Sequence, residues 1–236
     1  PKERYELMTK EMPKHGKLSL EMMYQTAGTQ INLDYESEID FIKKFKLASF
    51  LTPISISLFA NSAFKEMKQN NFLSYRSKVW QNTSRGGLPE FFLEDMNFEK
   101  YVDFSLNMPL LFIEKNSKII NPEKKTFKDF INGNINFIQN SKPTYKDFET
   151  HLTTIFTEVR LKKYIEVRSI DACEWSCHCS SPAFYTGLFY GNLNEALEVI
   201  KSWDKHDVMN AYFEAPKKGL NVMINNKSIL KWSEIF

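Results

Sequence analysis

The stretch EVRLKKYIEVRSID, residues 158–171, alternates charged or polar side chains with aliphatic ones along most of its length. Successive side chains of a β-strand point to opposite faces, so this period of two predicts a strand with one aliphatic and one polar face. The polar row consists of Glu158, Arg160, Lys162, Tyr164, Glu166 and Arg168. One solvated face is common in antiparallel sheets, so the row alone does not establish a functional site.

A second polar row lies near the N-terminus, in the sequence GTQINLD, residues 28–34. Gln30, Asn32 and Asp34 share one face of this predicted strand, and aliphatic residues alternate with them. Carboxylate and amide oxygens are the ligands that Mg²⁺ prefers, and guanidinium groups clamp carboxylates or phosphates. Two such rows in one sheet would suit phosphoryl chemistry, in which catalysis is mostly positioning and charge neutralisation.

Helical patterns between these strands predict the fold class. Residues 37–50 have apolar side chains at helical spacing, with Ser37 as N-cap and Asp40 at the third helical position. Residues 47–64 carry no charge, but their polar content and Pro53 favour a buried helix, begun or kinked at the proline, over a membrane span. Strands separated by unequal helices predict an α+β domain, an antiparallel sheet with helices packed on its back.

Composition narrows the class of protein. The chain has 236 residues, of which 42% are hydrophobic and 25% charged, values typical of a globular domain. A net charge of only +2 provides no broad cationic field, so we expect no nucleic-acid partner, and we expect no membrane partner either. The sequence has no Walker loop and no GxGxxG motif, so any nucleotide is held in another way.

Three cysteines lie together in the sequence CEWSCHC, residues 173–179. Their odd number argues for a reducing cytosol. Zinc is the less favoured interpretation, because structural zinc generally needs a second ligand pair. The chain does not begin with Met, so we interpret it as an excerpt of a longer protein. We expect a cytoplasmic, bacterial protein, and organellar targeting stays an open alternative.

Several strings of residues resemble one enzyme family in their content and order. They are QINLDYESEIDFIKKFK, LFANSAF, FLSYRSKVW, PTYKDFETHLTTIFTEVRLKKYIEVRSID and SPAFYTGLFY. Over about residues 4–200 the chain resembles the plant and proteobacterial type of glutamate–cysteine ligase. The resemblance implies ATP-dependent ligation of the γ-carboxylate of glutamate to the amine of cysteine through γ-glutamyl phosphate, the first step of glutathione biosynthesis. It also implies a curved antiparallel sheet like that of the glutamine-synthetase catalytic domain.

The resemblance implies roles for residues of both polar rows. Glu166 matches an acidic Mg²⁺ ligand, and Arg168 on the same face matches an arginine that contacts glutamate or the transferring phosphoryl group. These two residues are therefore the candidate catalytic residues, and the alternative for them is a structural ion pair. Gln30 falls where related ligases carry a metal- or phosphate-binding histidine, so it is a candidate to contact a phosphate oxygen of the substrate or a metal through its carbonyl. Asn32 is a neighbouring substrate-binding candidate.

Further substrate contacts are implied on other segments. Arg76 resembles the arginine near the glutamate carboxylate, with Trp80 lining the same pocket; the alternative for Arg76 is an exposed helix arginine. Arg160 is a substrate-binding candidate or a solvated strand-end charge. Arg85 in the loop SRGGLP closes over substrate or belongs to a plain surface loop. Residues 173–179 match a loop at the rim of the substrate pocket.

The expected domain is a single catalytic fragment, residues 1–236, without the family's N-terminal metal and nucleotide segment and its C-terminal helices. Its expected ligands are glutamate, cysteine, ATP and Mg²⁺, and its expected state is a monomer or homodimer. Two alternatives stay open. One is a related ligase with another amine acceptor, and the other is a non-catalytic domain of the same fold that binds an anion or a partner protein.

Overall fold

The computed structural model describes residues 3–14, 16–83, 85–115, 118–138 and 141–236. The helices are α1 (Glu3–Glu11), α2 (Ser19–Tyr24), α3 (Glu38–Phe50), α4 (Thr52–Leu58), α5 (Tyr75–Gln81), α6 (Phe98–Asn107), α7 (Phe127–Ile131), α8 (Tyr145–Leu152), α9 (Ser180–Thr186), α10 (Leu193–Lys201), α11 (Lys205–Lys218) and α12 (Ile229–Ser233). The strands are β1 (Gly28–Leu33), β2 (Phe64–Lys65), β3 (Lys68–Gln69), β4 (Gly86–Gly87), β5 (Ile113–Lys115), β6 (Lys118–Ile120), β7 (Phe156–Thr157), β8 (Val159–Leu161), β9 (Ile165–Asp171), β10 (Met223–Ile224) and β11 (Lys227–Ser228). This mixture agrees with the predicted α+β class.

Residues 158–171 form a hairpin, so the prediction of a single strand was wrong. β8 and β9 pair antiparallel, with Arg160 opposite Glu166. The N–H of Lys162 donates to the carbonyl of Tyr164 across the turn at 2.8 Å. The turn contains none of the glycine, asparagine or proline residues that usually signal a hairpin. Paired residues are an even number of positions apart, so the polar row nevertheless stays on one face.

β9 is the central strand of a three-stranded sheet with the order β1, β9, β8. β1 pairs antiparallel with β9 and places Asn32 opposite Glu166. The prediction that the two polar rows lie in one antiparallel sheet is therefore confirmed. The other paired strands form two-stranded sheets, of which β4–β7 is parallel. A larger curved sheet of the glutamine-synthetase type stays a prediction.

The aliphatic face of this sheet packs against helices, and α3 begins as predicted. The hydroxyl of Ser37 accepts a hydrogen bond from the N–H of Asp40 at 3.2 Å, which satisfies one of the free donors of the first turn. Phe41 and Phe45 on α3 are fully buried in the main core. α4 contacts both β9 and α11, so these helices form the back of the sheet.

The uncharged segment 47–64 is buried only as far as Ser57, and it is not one helix. α3 ends at Phe50, and α4 begins at Thr52 with Pro53 in its first turn. Proline is tolerated there because the first N–H groups of a helix have no intrahelical acceptor. In the described part of the chain, none of the helices combines the length and the apolar character needed to span a bilayer.

Both faces of β9 are buried, whereas the alternation suggested one solvated face. α5 contacts β9, and its residues Arg76 and Trp80 lie against Arg168. Sequence alternation distinguishes two faces but does not reveal whether a distant segment covers the polar one. A buried charged row requires paired partners, because an unpaired charge is costly to remove from water.

Candidate functional site

The polar face of the hairpin centres on the carboxylate of Glu166, which is 4% exposed. Its Oε2 accepts hydrogen bonds from Nε of Arg160 at 2.6 Å and from Nη1 of Arg168 at 3.1 Å. The ammonium group of Lys162 lies 3.8 Å from Oε1. Three cationic groups therefore surround one carboxylate, and the cluster is positively charged.

These charges determine the protonation of Glu166. Burial alone raises its pKa, but Arg160, Arg168 and Lys162 together more than offset this effect and hold the pKa below its ordinary value. Burial, together with the charge of Arg160, lowers the pKa of Arg168 to about 10. At neutral pH the glutamate is therefore ionised and Arg168 is charged.

Arg160 connects the hairpin to the segment that precedes it. Its Nη1 donates to the carbonyls of Thr153 at 3.1 Å and Ile155 at 2.9 Å, while Nε and Nη2 contact Glu166. Every guanidinium nitrogen of Arg160 thus has a protein partner, and the residue is buried. This arrangement excludes a solvated charge, and a substrate contact would require one of these bonds to break.

α5 brings Arg76 and Trp80 over the same face, because residues four apart lie on one side of a helix. Arg76 is 3% exposed, which excludes the alternative of an exposed helix arginine. Its Nη2 donates to the carbonyl of Arg168 at 2.5 Å. The guanidinium carbons of Arg76 and Arg168 each lie 5.4 Å from the centre of the Trp80 ring. Two arginines and an indole therefore share one location.

Several buried donors of this group have no hydrogen-bond partner among the described residues. They are Nε and Nη1 of Arg76, Nε of Arg168 and Nε1 of Trp80. An unsatisfied buried donor costs about 1–3 kcal/mol, and more when it is charged. Two guanidinium groups with unpaired donors are suited to an anionic acceptor.

β1 forms the margin of this group. Gln30 and Asn32 are exposed, and Asn32 lies directly opposite Glu166. Gly28, which the sequence analysis did not single out, lies beneath Arg76, because a Cβ there would be 2.4 Å from Nε of the arginine. A glycine at this position therefore allows the arginine to lie against the strand. Its only sequence signal is a glycine at the start of a strand, which is weak.

Two further buried acids lie near Arg76: Glu158, which the sequence analysis placed in the polar row, and Asp171, which it did not single out. Glu158 accepts a hydrogen bond from the hydroxyl of Tyr212 at 3.1 Å, and burial raises its pKa although the charge of Arg76 opposes the shift. Burial likewise raises the pKa of Asp171, again against the charge of Arg76. Acids at strand ends resemble solvated charges in the sequence, so no pattern separates them from buried ones.

The described residues offer part of the predicted Mg²⁺ site. Oε2 of Glu166 is occupied by arginines, whereas Oε1 has only Lys162 at 3.8 Å. Within the described ranges, no group of three acidic, histidine or cysteine side chains converges at Glu166. Mg²⁺ binds six oxygens in near-octahedral geometry. Oε1 of Glu166 offers one such oxygen, and the amide of Gln30, exposed on the adjacent strand β1, is the second predicted contact.

The cysteine segment differs from expectation. Cys173 and Cys177 form a disulfide, and Cys179 is free and exposed. The odd cysteine number, which suggested a reducing cytosol, did not reveal this pairing. Because two of the sulfurs are bonded to each other, the zinc interpretation loses two of its ligands.

Arg85 is buried and fully paired, so neither a contact that closes over substrate nor a plain surface loop describes it. Nε donates to the carbonyl of Thr154 at 2.7 Å and Nη2 to its hydroxyl at 2.8 Å, while Nη1 donates to the carbonyl of Pro109. Ser84 in the same loop lies outside the described residues. Arg85 therefore joins three segments of the chain.

We expect Arg85→Met to lower the free energy of unfolding by about 3 kcal/mol, because buried acceptors would lose charged donors. Urea unfolding followed by circular dichroism measures this change. Lys146→Met is the control. The side chain of Lys146 is 84% exposed, and the substitution would remove a single ion-pair contact with Glu149, at 3.8 Å. Equal stability of the two variants would contradict the structural role of Arg85.

Comparison with known proteins identifies the family. The family model described as glutamate-cysteine ligase family 2 (GCS2) matches residues 1–231. The chain is 42% identical over 225 residues to the chloroplastic glutamate–cysteine ligase of Nicotiana tabacum. The match covers 93% of the chain and 43% of that protein. It is 45% identical over 208 residues to the chloroplastic glutamate–cysteine ligase of Medicago truncatula, and this match covers 86% of the chain and 41% of that protein. The chain thus spans less than half the length of these relatives.

The names of the relatives correct the expected location. A third relative, from Arabidopsis thaliana, is 44% identical over 208 residues, and the match covers 86% of the chain and 40% of that protein. Like the proteins from Nicotiana tabacum and Medicago truncatula, it is named chloroplastic. The prediction of a cytoplasmic, bacterial protein is therefore contradicted. The resemblance in the quoted strings is confirmed by a match over nearly the whole sequence. The chain belongs to glutamate-cysteine ligase family 2.

Proposed function

We propose that the chain supplies the glutamate-binding and phosphoryl-transfer part of a glutamate–cysteine ligase. ATP phosphorylates the γ-carboxylate of glutamate, and the amine of cysteine then displaces phosphate from γ-glutamyl phosphate. Family membership and the names of the relatives support this activity. Because the chain spans 43% of the tobacco relative, the complete reaction and its substrates belong to the proposal.

The observation that carries the proposal is the group of unpaired buried donors on Arg76, Arg168 and Trp80. Carboxylate and phosphoryl oxygens accept charge-assisted hydrogen bonds of this kind. Glutamate brings two carboxylates, and phosphoryl transfer spreads negative charge over the phosphoryl oxygens. A site whose cations are already in place stabilises that charge without reorganising during the reaction.

Each residue of the group has a distinct proposed role. Arg168 is the catalytic arginine: its bond to Glu166 fixes the guanidinium, and its free Nε contacts the transferring phosphoryl group or glutamate. Arg76 binds a carboxylate of glutamate through Nε and Nη1. Trp80 packs against both arginines and limits the access of water to them. Asn32, exposed opposite Glu166, offers an amide to the substrate.

The proposed Mg²⁺ contacts are Oε1 of Glu166 and the amide of Gln30. Mg²⁺ held by these residues would neutralise nucleotide phosphates and orient the transferred group. Arg160 and Arg168 hold the other carboxylate oxygen, so the side chain of Glu166 is fixed before any ligand binds. The remaining ligands would come from phosphates, water or residues outside this chain.

A cavity of about 600 Å³ beside Lys162 is the proposed place for the nucleotide. The lysines Lys146 and Lys163 and the rings of Tyr145 and Tyr164 contribute to its lining. Aromatic faces stack with nucleobases, and ammonium groups bind phosphates. Lys162 also contacts Glu166, so phosphates in the cavity would lie next to the charged cluster.

The fold and domain predictions enter the same proposal. The sheet of β1, β9 and β8, with α3 and α4 on its back, is compatible with one wall of a glutamine-synthetase-like funnel. We therefore propose that residues 1–236 are one catalytic-domain fragment of this fold. One hydrophobic cluster joins residues of α3, α4, α11 and α12, which supports a single unit, while α5 and α7 contribute to two smaller clusters.

The test is an ADP-release assay on the whole protein that contains this chain. We expect the fastest release with glutamate and cysteine together, and slower release when another amine replaces cysteine. Faster release with a different amine would assign the related-ligase alternative. Absence of glutamate-dependent release would contradict the proposal and favour a non-catalytic anion-binding domain.

A further inference from the structure

Asp171 ends β9 and joins two other segments through its buried carboxylate. Oδ2 accepts hydrogen bonds from the N–H of Asn61 at 2.8 Å and from the hydroxyl of Ser62 at 2.7 Å. Oδ1 accepts a hydrogen bond at 2.9 Å from the hydroxyl of Ser74, the N-cap of α5. One carboxylate therefore fixes the segment before β2 and the start of the helix that carries Arg76.

Ser62 continues these hydrogen bonds to the backbone of Arg76. Its hydroxyl donates to Asp171 and accepts from the N–H of Arg76 at 2.9 Å. A serine hydroxyl can do both, because it has one proton and two lone pairs. The N–H of Arg76 lies in the first turn of α5, where helical N–H groups lack an intrahelical acceptor. Asp171 thus locates the backbone of Arg76 through Ser62.

The guanidinium end of Arg76 is located equally well. Nη2 donates to the carbonyl of Arg168, and the side chain passes over Gly28, where a Cβ would be 2.4 Å from Nε. Among the described residues, Nε and Nη1 have no acceptor. Both ends of the side chain are therefore held while two donors remain free, which is the arrangement of a preorganised ligand contact. An error of about 1 Å in such a contact can cost about 100-fold in rate.

We propose that Asp171, acting through Ser62, is a positioning residue for the anion contact of Arg76. The inference rests on the proposed function, because it takes a carboxylate of glutamate as the anion. Asp171 itself touches neither substrate nor reacting atoms. It determines where the backbone of Arg76 lies, and hence where Nε and Nη1 meet the ligand. Loss of the Ser62 hydroxyl should therefore affect glutamate more than ATP or cysteine.

The test compares Ser62→Ala with Ser62→Thr in the whole protein. Alanine removes the hydroxyl that joins Arg76 to Asp171, and we expect the KM for glutamate to rise about tenfold. The KM values for ATP and cysteine should stay unchanged. Threonine restores a hydroxyl and should recover most of the loss. An unchanged KM for glutamate in Ser62→Ala, or an equal rise for all three substrates, would overturn the inference.

Asp129 provides a matched control for Asp171, because it also accepts hydrogen bonds from a backbone N–H and a hydroxyl, both of Thr126. We expect Asp171→Asn to raise the KM for glutamate and Asp129→Asn to leave it unchanged, although both lower stability. Amide hydrogen exchange at Arg76 gives a readout that does not depend on catalysis. It should become faster in Ser62→Ala and Asp171→Asn but not in Asp129→Asn.

The two levels of the argument fail in different ways. Unchanged exchange at Arg76 in both Ser62→Ala and Asp171→Asn would refute the positioning role and leave the proposed function intact. A wild-type protein without glutamate-dependent ADP release would refute the proposed function, and the assignment of the anion would fall with it.

Discussion

The substitution Glu166→Gln is expected to lower the free energy of unfolding by about 3–5 kcal/mol, the usual effect of removing one partner from a buried ion pair. The amide is almost the same size as the carboxylate, so the loss comes from charge and not from packing. Arg160 and Arg168 would remain buried beside a neutral group. Urea unfolding of the chain, followed by circular dichroism, measures the difference.

The control for this effect is Glu198→Gln. Glu198 pairs with Lys201 at 3.3 Å, but both side chains are more than 70% exposed, at 72% and 73%. Water screens an exposed pair, so we expect no measurable change in stability. Similar losses in the two glutamine variants would mean that burial of the Glu166 cluster contributes nothing. Greater stability of Glu166→Gln than of wild type would mean that its desolvation outweighs the attraction of the arginines.

The same cluster predicts how stability depends on pH. The pKa of Glu166 is below its ordinary value in the folded chain, because three neighbouring cations offset the effect of burial. A carboxyl group with a lowered pKa stabilises the fold fully above its unfolded pKa, about 4.3, and this contribution is lost as the pH falls through the folded value. Glu166→Gln should therefore lose less stability than wild type between neutral and acidic pH.

The pairing of the two polar strands in one sheet was predictable from the sequence, whereas the burial of their polar face under other segments was not. Alternation in residues 158–171 and 28–34 separated aliphatic from polar faces, and the even spacing of pairs across the hairpin preserved that separation. Burial of the polar row at Arg168 and Glu158 depends on α5 and α11, which lie far away in the sequence. An isolated period-two pattern contains no information about such a contact, so in the sequence Glu166 and Arg168 resembled residues on a solvent-exposed sheet face.

The grouping of the candidate site residues was predictable only where the family resemblance supplied it, and their roles in substrate and metal binding stay predictions. The four-residue spacing of Arg76 and Trp80 places both on one helix face, but nothing in that spacing indicates that Arg168 lies against the same indole. The supporting residues were invisible for a different reason. Gly28 and Asp171 act through a close approach and through hydrogen bonds between distant segments, and such relations have no local sequence pattern.

Replacing Arg168 by alanine is expected to lower kcat/KM for glutamate at least about 100-fold, while its effect on stability stays smaller than that of Glu166→Gln. The asymmetry follows from the charges. Without Arg168, the carboxylate of Glu166 keeps Arg160 and Lys162, so no buried charge is left alone. The proposed anion, by contrast, would lose its contact with this guanidinium. The measurement is the initial rate of ADP release by the whole protein at varied glutamate, with ATP and cysteine saturating.

Arg168→Lys separates the charge of this residue from its geometry. Lysine keeps the positive charge but replaces the planar guanidinium with a compact ammonium group. An ammonium group has a single nitrogen, so it cannot reproduce one bond to Glu166 and a second bond to a ligand from separate nitrogens of a rigid plane. We therefore expect stability close to wild type but only partial recovery of kcat/KM. Full recovery would mean that net charge alone serves the anion. Normal use of glutamate by the alanine variant would contradict a role for Arg168 in the reaction. The unpaired Nε of the wild-type residue would then not serve as a contact for the anion.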